Sequence, residues 1–306
     1  MVPADALELG DLLVPTAGRW EQRDGARRFT PAFAPVPGSE YVVVSRDAST
    51  RWGALARAIV PPGPSEPTAT VTSIAPAVDE VPANLLRVRI SFSAPMSEGS
   101  AEGSVSLLDA AGAELPGALL PMPPELWDRD RRQLSVLFEP GRLKRGLRPH
   151  EEAGLPLAEG SVVTVRIGAE MRDAAGLPLA AGASRTYRIG PPLRSRVDPA
   201  AWSIRWPDPG DRRLIVRFDR PLDPVLVRRC IRYVDADGVP LRGRVEVDAS
   251  ATTWTHTADR AAPQGARLEI DARLEDLAGN SVRRAFDTDL SDSGVRLDDS
   301  TVTLTP

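Results

Sequence analysis

Apolar and polar residues alternate with a period of two over short stretches of this chain. Leu86, Val88, Ile90 and Phe92 alternate with Arg87, Arg89, Ser91 and Ser93. Further on, Leu214, Val216 and Phe218 alternate with Arg213 and Arg217. Side chains of a strand point to opposite faces in turn, so each stretch predicts a strand with one buried and one wet face. Val105 with Leu107, and Ile231 with Tyr233, predict a second strand in each region. Turn residues follow at matched positions, Asp109-Ala110-Ala111-Gly112 and Asp235-Ala236-Asp237-Gly238, so a hairpin is expected after each. Val163, Val165 and Ile167, like Ala266, Leu268 and Ile270, predict a late strand. No stretch of 10 or more residues carries a convincing helical period.

These patterns are copies. Phe92-Ser93-Ala94-Pro95-Met96 returns as Phe218-Asp219-Arg220-Pro221-Leu222 at an offset of 126 residues, and Asp109, Gly112, Leu115 and Gly117 return as Asp235, Gly238, Leu241 and Gly243. The late strands and the turns Asp173-Ala174-Ala175-Gly176 and Asp276-Leu277-Ala278-Gly279 repeat at 103 instead. Most of the difference is an insertion in the first copy, residues 141–154. A repeat of this size means duplicated domains, since solenoid units run to roughly 20–50 residues. Proline-rich joints at Pro61-Pro62-Gly63-Pro64-Ser65-Glu66-Pro67 and Gly190-Pro191-Pro192 interrupt the ladders.

The expected organisation is therefore all-β, with a partial β element over 1–66. One β-sandwich spans 67–192 with the insertion, a second spans 193–290, and a tail over 291–306 is either a loose strand or disordered. Within the first element, Phe29-Thr30-Pro31 and Pro37-Gly38-Ser39-Glu40-Tyr41-Val42-Val43-Val44 echo Phe138-Glu139-Pro140 and Glu159-Gly160-Ser161-Val162-Val163-Thr164-Val165. The echo covers only the late half of a unit.

Ile74-Ala75-Pro76, Phe92-Ser93-Ala94-Pro95-Met96, Asp173-Ala174-Ala175-Gly176 and Asp276-Leu277-Ala278-Gly279-Asn280 together resemble the bacterial immunoglobulin-like (Ig-like) domains of S-layer and surface proteins. The second copy departs at Phe218-Asp219-Arg220-Pro221-Leu222. The resemblance implies tandem Ig-like sandwiches of a secreted or envelope protein, acting as spacers, scaffolds or adhesive elements. It also implies an extracellular or periplasmic location. Met1-Val2-Pro3-Ala4-Asp5 has neither the basic region nor the apolar core of a signal peptide, which leaves a cytoplasmic protein or a trimmed mature chain with an added Met, and the resemblance favours the trimmed chain.

Composition narrows the chemistry. Net charge is −4, so no global field draws nucleic acid. Lys144 is the single lysine against 37 arginines, which are scattered and form no patch. Cys230 is alone, which excludes an intrachain disulfide or a thiolate metal cluster. No apolar run reaches the ~18 residues of a membrane span.

His150 and His256 have no Gly-x-Ser-x-Gly elbow or second metal-binding histidine beside them. Copper handling would need histidines or clustered methionines, and Met96, Met122 and Met171 are dispersed. No cofactor and no metal are expected. Asp235-Ala236-Asp237-Gly238 opens like a calcium loop with Glu246 in the twelfth place, but reads better as a turn. Asp198, Asp276 or Asp292 are weighed as calcium ligands at a joint between domains.

The candidate binding residues are Arg142, Lys144, Arg145 and Arg148 of the insertion, with Trp127 before it, as a polysaccharide reader. The alternative is a solvated loop with internal ion pairs to Glu151 and Glu152. A glycoside hydrolase would need Glu125, Asp128, Glu151 or Glu152 to converge in a groove. The leading expectation is a non-enzymatic structural or interaction module with a protein or cell-surface polysaccharide as partner.

Overall fold

The computed structural model describes residues 1–4, 14–46, 52–61, 66–208, 210–287 and 300–306. Most of the first proline-rich joint lies outside them, as do Asp292, Val295 and Leu297. The chain divides into two units, Met1–Thr68 and Ala69–Pro306.

The first unit holds β1 (Val2–Pro3), β2 (Gly18–Arg23), β3 (Ala26–Pro31), β4 (Glu40–Arg46) and β5 (Trp52–Ile59). Strands β2 and β3 form a hairpin across Asp24 and Gly25, both with positive φ (52° and 79°). This matches the type I′ turn, whose twist suits two-residue hairpins. The other three strands form a sheet in the order β1-β4-β5.

The second unit begins with β6 (Val71–Ala75), β7 (Glu80–Pro82), β8 (Arg87–Phe92), β9 (Val105–Leu108), β10 (Leu126–Trp127) and β11 (Gln133–Leu137). Two short helices follow, α1 (Pro140–Leu143) and α2 (Arg148–Ala153), then β12 (Val162–Ile167) and β13 (Ala183–Gly190). The sheets are β10-β11-β8-β6 and β7-β13-β12-β9, antiparallel except for the parallel β7/β13 pair. In immunoglobulin lettering these are D-E-B-A and A′-G-F-C, so strand order alone defines an Ig-like sandwich.

A short 3₁₀ turn (Pro199–Ala201) leads into β14 (Ser203–Arg205), β15 (Arg213–Arg217), α3 (Pro224–Cys230), β16 (Ile231–Val234) and β17 (Gly243–Val247). The chain continues through β18 (Thr253–Ala258), β19 (Arg267–Asp271) and β20 (Thr301–Leu304). Sheets β14-β15-β18-β17 and β16-β19-β20 repeat A-B-E-D and C-F-G. The tail is thus a paired strand where it is described: Leu304 stands opposite Leu268 and Val302 opposite Ile270.

Alternation built both cores. Val88, Ile90, Phe92 and Leu134 of one sheet face Leu107, Val163, Val165, Tyr187 and Ile189 of the other. In the second sandwich Leu214, Val216 and Trp254 face Ile231, Tyr233, Leu268 and Ile270. Each large side chain so buried contributes about 1.5–3 kcal/mol. Met96 and its counterpart Leu222 are both fully buried, as expected of a packing position.

The four aspartate turns share one geometry. Asp109, Asp173, Asp235 and Asp276 each accept from the backbone N–H two and four residues on, through one oxygen, at 2.8–3.0 Å. That is the Asx-turn bond that makes aspartate a turn residue. Asp235 uses Oδ1 for this turn, and Glu246 is on β17, paired with Arg244.

Candidate functional site: the joint between the sandwiches

The densest polar chemistry in the second unit lies where its two sandwiches meet. Strand β8 points Val88, Ile90 and Phe92 inward, leaving Arg87 and Arg89 on the opposite face. The sequence predicts that face to be wet. Instead the second sandwich covers it. Asp223 Oδ2 receives Arg87 Nε at 3.0 Å and Arg89 Nη2 at 2.8 Å. Arg87 also pairs with Glu275, and Arg89 Nη1 donates to Ser135 Oγ at 2.9 Å. Asp223 additionally caps α3, accepting from Val225 and Leu226 N–H at 2.9 and 3.1 Å, with Pro224 opening the helix.

The electrostatics follow from this sharing. Burial pushes the Asp223 carboxyl up, but Arg89 and Arg87 outweigh it and hold the group below the usual range. Glu275 is pushed up by burial, relieved only partly by Arg87 and worsened by the Asp223 charge. One carboxylate takes two guanidiniums and the other is left with a share of one. The space among Ala75, Pro76, Arg87, Arg89, Asp223, Pro224, Asp276 and Leu277 is about 10 Å³, room for about one water.

A second cluster uses the insertion. Arg145 donates to Asp287 from its backbone N–H at 2.8 Å and from Nε at 2.6 Å, and Arg194 pairs with the same carboxylate. Burial raises the Asp287 pKa, while the bonds and charges of Arg145 and Arg194 outweigh it and lower the group. Lys144 Nζ lies 4.8 Å from the centre of the Phe286 ring, a cation–π contact.

Between the two clusters the contact is apolar and backbone-to-backbone. Leu277 is buried within the first sandwich's core and Phe286 packs against it, although both come from the second copy. Leu86 N–H donates to the Leu277 carbonyl at 2.9 Å. The linker is strapped at Leu193, which exchanges two hydrogen bonds with the Asn84 amide (2.6 and 2.9 Å) and accepts a third from Asn280 at 3.1 Å. Gly279 has φ +79°, and a Cβ there would come within 2.5 Å of Leu86 Cδ2 and 3.2 Å of Phe286 Cδ2.

The remaining candidates are placed as follows. Arg142 donates to the carbonyls of Gly117, Ala153, Gly154 and Leu155, tying α1 to the end of α2. Arg148 pairs with Glu152 one turn on, both exposed. Trp127 is half-buried against Phe92 (centroids 5.7 Å apart), and its Nε1 donates to Glu125 at 2.6 Å. Glu125 also accepts from the N–H groups of Gly99, Ala101 and Glu102. Asp128 accepts from Arg132 and Gln133 N–H, and Glu151 is exposed on α2.

The 141–154 segment is two short helices rather than a plain loop. The structure brings Lys144 and Arg145 to the joint and leaves Trp127, Arg142 and Arg148 in separate local networks.

His150 Nδ1 contacts the Arg142 carbonyl at 2.5 Å. His256 is buried between Trp254 and Tyr233, donating from Nε2 to the Leu241 carbonyl at 3.1 Å, and burial lowers its pKa. Cys230 is buried at the end of α3, and burial raises its thiol to about 11. Asp198 caps the 3₁₀ turn, and Asp276 is held by Asn280, Ala278 and Arg220. Among the described residues no three His, Cys, Asp or Glu side chains are grouped to hold a metal ion, and no helix is long and apolar enough to cross a membrane.

The joint residues Asp223, Glu275 and Asp287 were not singled out from sequence. Only the Asp223-Pro224 pair carried a signal, that of a helix start.

Strand order places both sandwiches in the Ig-like class. No family model matches the chain, and no curated protein matches it. Among solved structures it is similar to native alpha-2-macroglobulin from Escherichia coli spanning domains MG0-NIE-MG1, at 12% identity and TM-score 0.26, over 55% of this chain and 45% of that one. It is also similar to the S-layer protein rSbsC(31-844), at 12% identity and TM-score 0.28, over 68% of this chain and 24% of that one. A third is the N-terminal eight Ig domains of Down Syndrome Cell Adhesion Molecule, at 10% identity and TM-score 0.20, over 85% of this chain and 32% of that one. The chain spans less than half the length of each. Likeness this loose carries no argument, and the fold assignment rests on the strand order.

Proposed function

We propose that the chain is a non-enzymatic structural or interaction module of the bacterial cell envelope, in which two Ig-like sandwiches are held as one stiff body. The observation that carries this reading is the joint. A shared core residue (Leu277), a strapped linker and two buried-carboxylate clusters fill the space where a flexible tether or an open cleft would otherwise lie. An interface with its charges paired and its apolar residues interlocked resists hinge motion, which is the property a spacer or scaffold needs. The envelope location rests on the motif resemblance of Ile74-Ala75-Pro76, Phe92-Ser93-Ala94-Pro95-Met96 and the Asp-x-Ala-Gly turns. The polysaccharide reading draws less support, because Arg142, Lys144 and Arg145 are already engaged with protein groups.

Stiffness is measured by spin labels at Thr186→Cys and Arg244→Cys, one on each sandwich, in a Cys230→Ala background. A single narrow distance is expected, broadening when Asp223→Asn and Asp287→Asn are added. A broad distribution in the parent protein defeats the proposal. A melting-temperature rise with a polysaccharide panel would revive the binding alternative.

A further inference from the structure

Where β4 begins, the first unit repeats the hydrogen bonds that open the F–G pair of an Ig-like sandwich. Ser39 N–H donates to the Val36 carbonyl as Ser161 does to Ala158; Gly38 donates to Val60 as Gly160 does to Ile189; Val60 donates to Ser39 as Ile189 does to Ser161. Glu40 stands opposite Ile59 as Val162 stands opposite Arg188. Strands β4 and β5 are therefore F and G. On the far side of β4, Val2 faces Val42 where Leu108 of strand C faces Thr164, so β1 occupies the end of strand C. The β2–β3 hairpin precedes this pair as D and E precede F and G in both sandwiches.

What the described residues lack is A, A′, B and most of C. In the first sandwich the outer edge of strand E pairs with B, and that of strand G pairs with A′. In the first unit the corresponding edges, of β3 and β5, pair with nothing among the described residues. The counterpart of the buried Tyr187 is Ala58, which is exposed, as is Ala56 two residues before it on the same face of β5. An open edge with its core-facing alanines uncovered is a template for strand addition.

We infer that residues 1–61 are an acceptor for the A-to-C half of an Ig-like domain. The occupant is a polypeptide segment whose B strand alternates apolar residues in the manner of Leu86, Val88, Ile90 and Phe92. It pairs along β3 and β5 and supplies the missing half of the core.

The test grafts this chain's own A-to-C segment, residues 69–106, directly ahead of Met1 of the full chain. That junction places Ser106 before the residue equivalent to Leu107. Amide exchange is followed over 26–31 and 40–59. The graft is expected to slow exchange there at least about ten-fold and to add a cooperative unfolding step. A matched graft carrying serine at the copies of Val88 and Ile90 is expected to do neither. Equal exchange in the two grafts overturns the inference. So does finding the ungrafted chain already protected there as a dimer, since a second copy is then the occupant. The spin-label distance between the sandwiches is read in the same samples, so failure here is separate from failure of the stiff-joint proposal.

Discussion

At the scale of single residues, Asp223 has the most consequence. Its carboxylate is nearly enclosed, with 5% of the side chain exposed, and it serves two arginines and a helix cap. Asp223→Asn leaves two guanidiniums short of a charge, and breaking a buried pair on one side typically costs about 3–5 kcal/mol. The joint arginines keep some solvent access, so we expect the loss at the lower end, read by urea unfolding of the full chain.

The pH dependence has a definite sign. Asp223 titrates below its unfolded value of about 3.9, so its contribution is present above that pH and disappears as pH falls toward the folded pKa. Glu275 titrates above its unfolded value, so its favourable contribution exists at low pH and is lost as pH rises through the folded pKa. Asp223→Asn is therefore expected to flatten the stability loss below about pH 4. An unchanged acid limb counts against the assigned role.

Gly279 gives a cleaner contrast. Gly279→Ala meets both a left-handed φ and the Leu86 side chain, whereas Gly176→Ala, in the matching turn, meets only the φ of +83°. Strain of this kind is of order 1–3 kcal/mol. Both variants are expected to lower stability, and only Gly279→Ala to broaden the distance between the sandwiches as well.

At the scale of elements, period-two alternation located β8, β9, β12, β15, β16 and β19, and matched turn residues located the connections. Alternation tells which side chains leave the core but not what meets them outside, so Arg87 and Arg89 read as solvated. Helices α1, α2 and α3 were missed for a related reason. At four to seven residues they are too short to show a 3.6-residue period, and only their prolines and the Glu139 and Asp223 caps mark them. The tail strand was ambiguous because Val295, Leu297, Val302 and Leu304 alternate only weakly. Deleting residues 300–306 removes one of the two partners of β19, leaving β16 on one side and an open edge along Leu268 and Ile270 on the other. The variant is expected to melt several degrees lower, with the largest loss of exchange protection in β19 and its neighbours.

At the scale of the whole second unit, the two sandwiches should not behave as independent modules. Residues 69–192 alone lack Leu277, which leaves a gap in a core that otherwise closes. Lost transfer and cavity terms for a leucine come to about 2–5 kcal/mol. The isolated first sandwich is expected to unfold at a lower temperature than the same residues within 69–306, and adding the second sandwich in trans is expected to restore part of the difference. Identical melting would mean that Leu277 contributes packing without stability.

That borrowed leucine also bears on how such a protein changes over generations. A domain whose core is self-sufficient can be cut out, copied or traded between genes with little penalty. Here a crossover at the Gly190-Pro191-Pro192 linker separates Arg87 from Glu275 and leaves one hydrophobic core short of a residue encoded almost 90 positions downstream. The smallest segment that can be inherited intact is therefore the pair, and recombination that preserves function should move both sandwiches together.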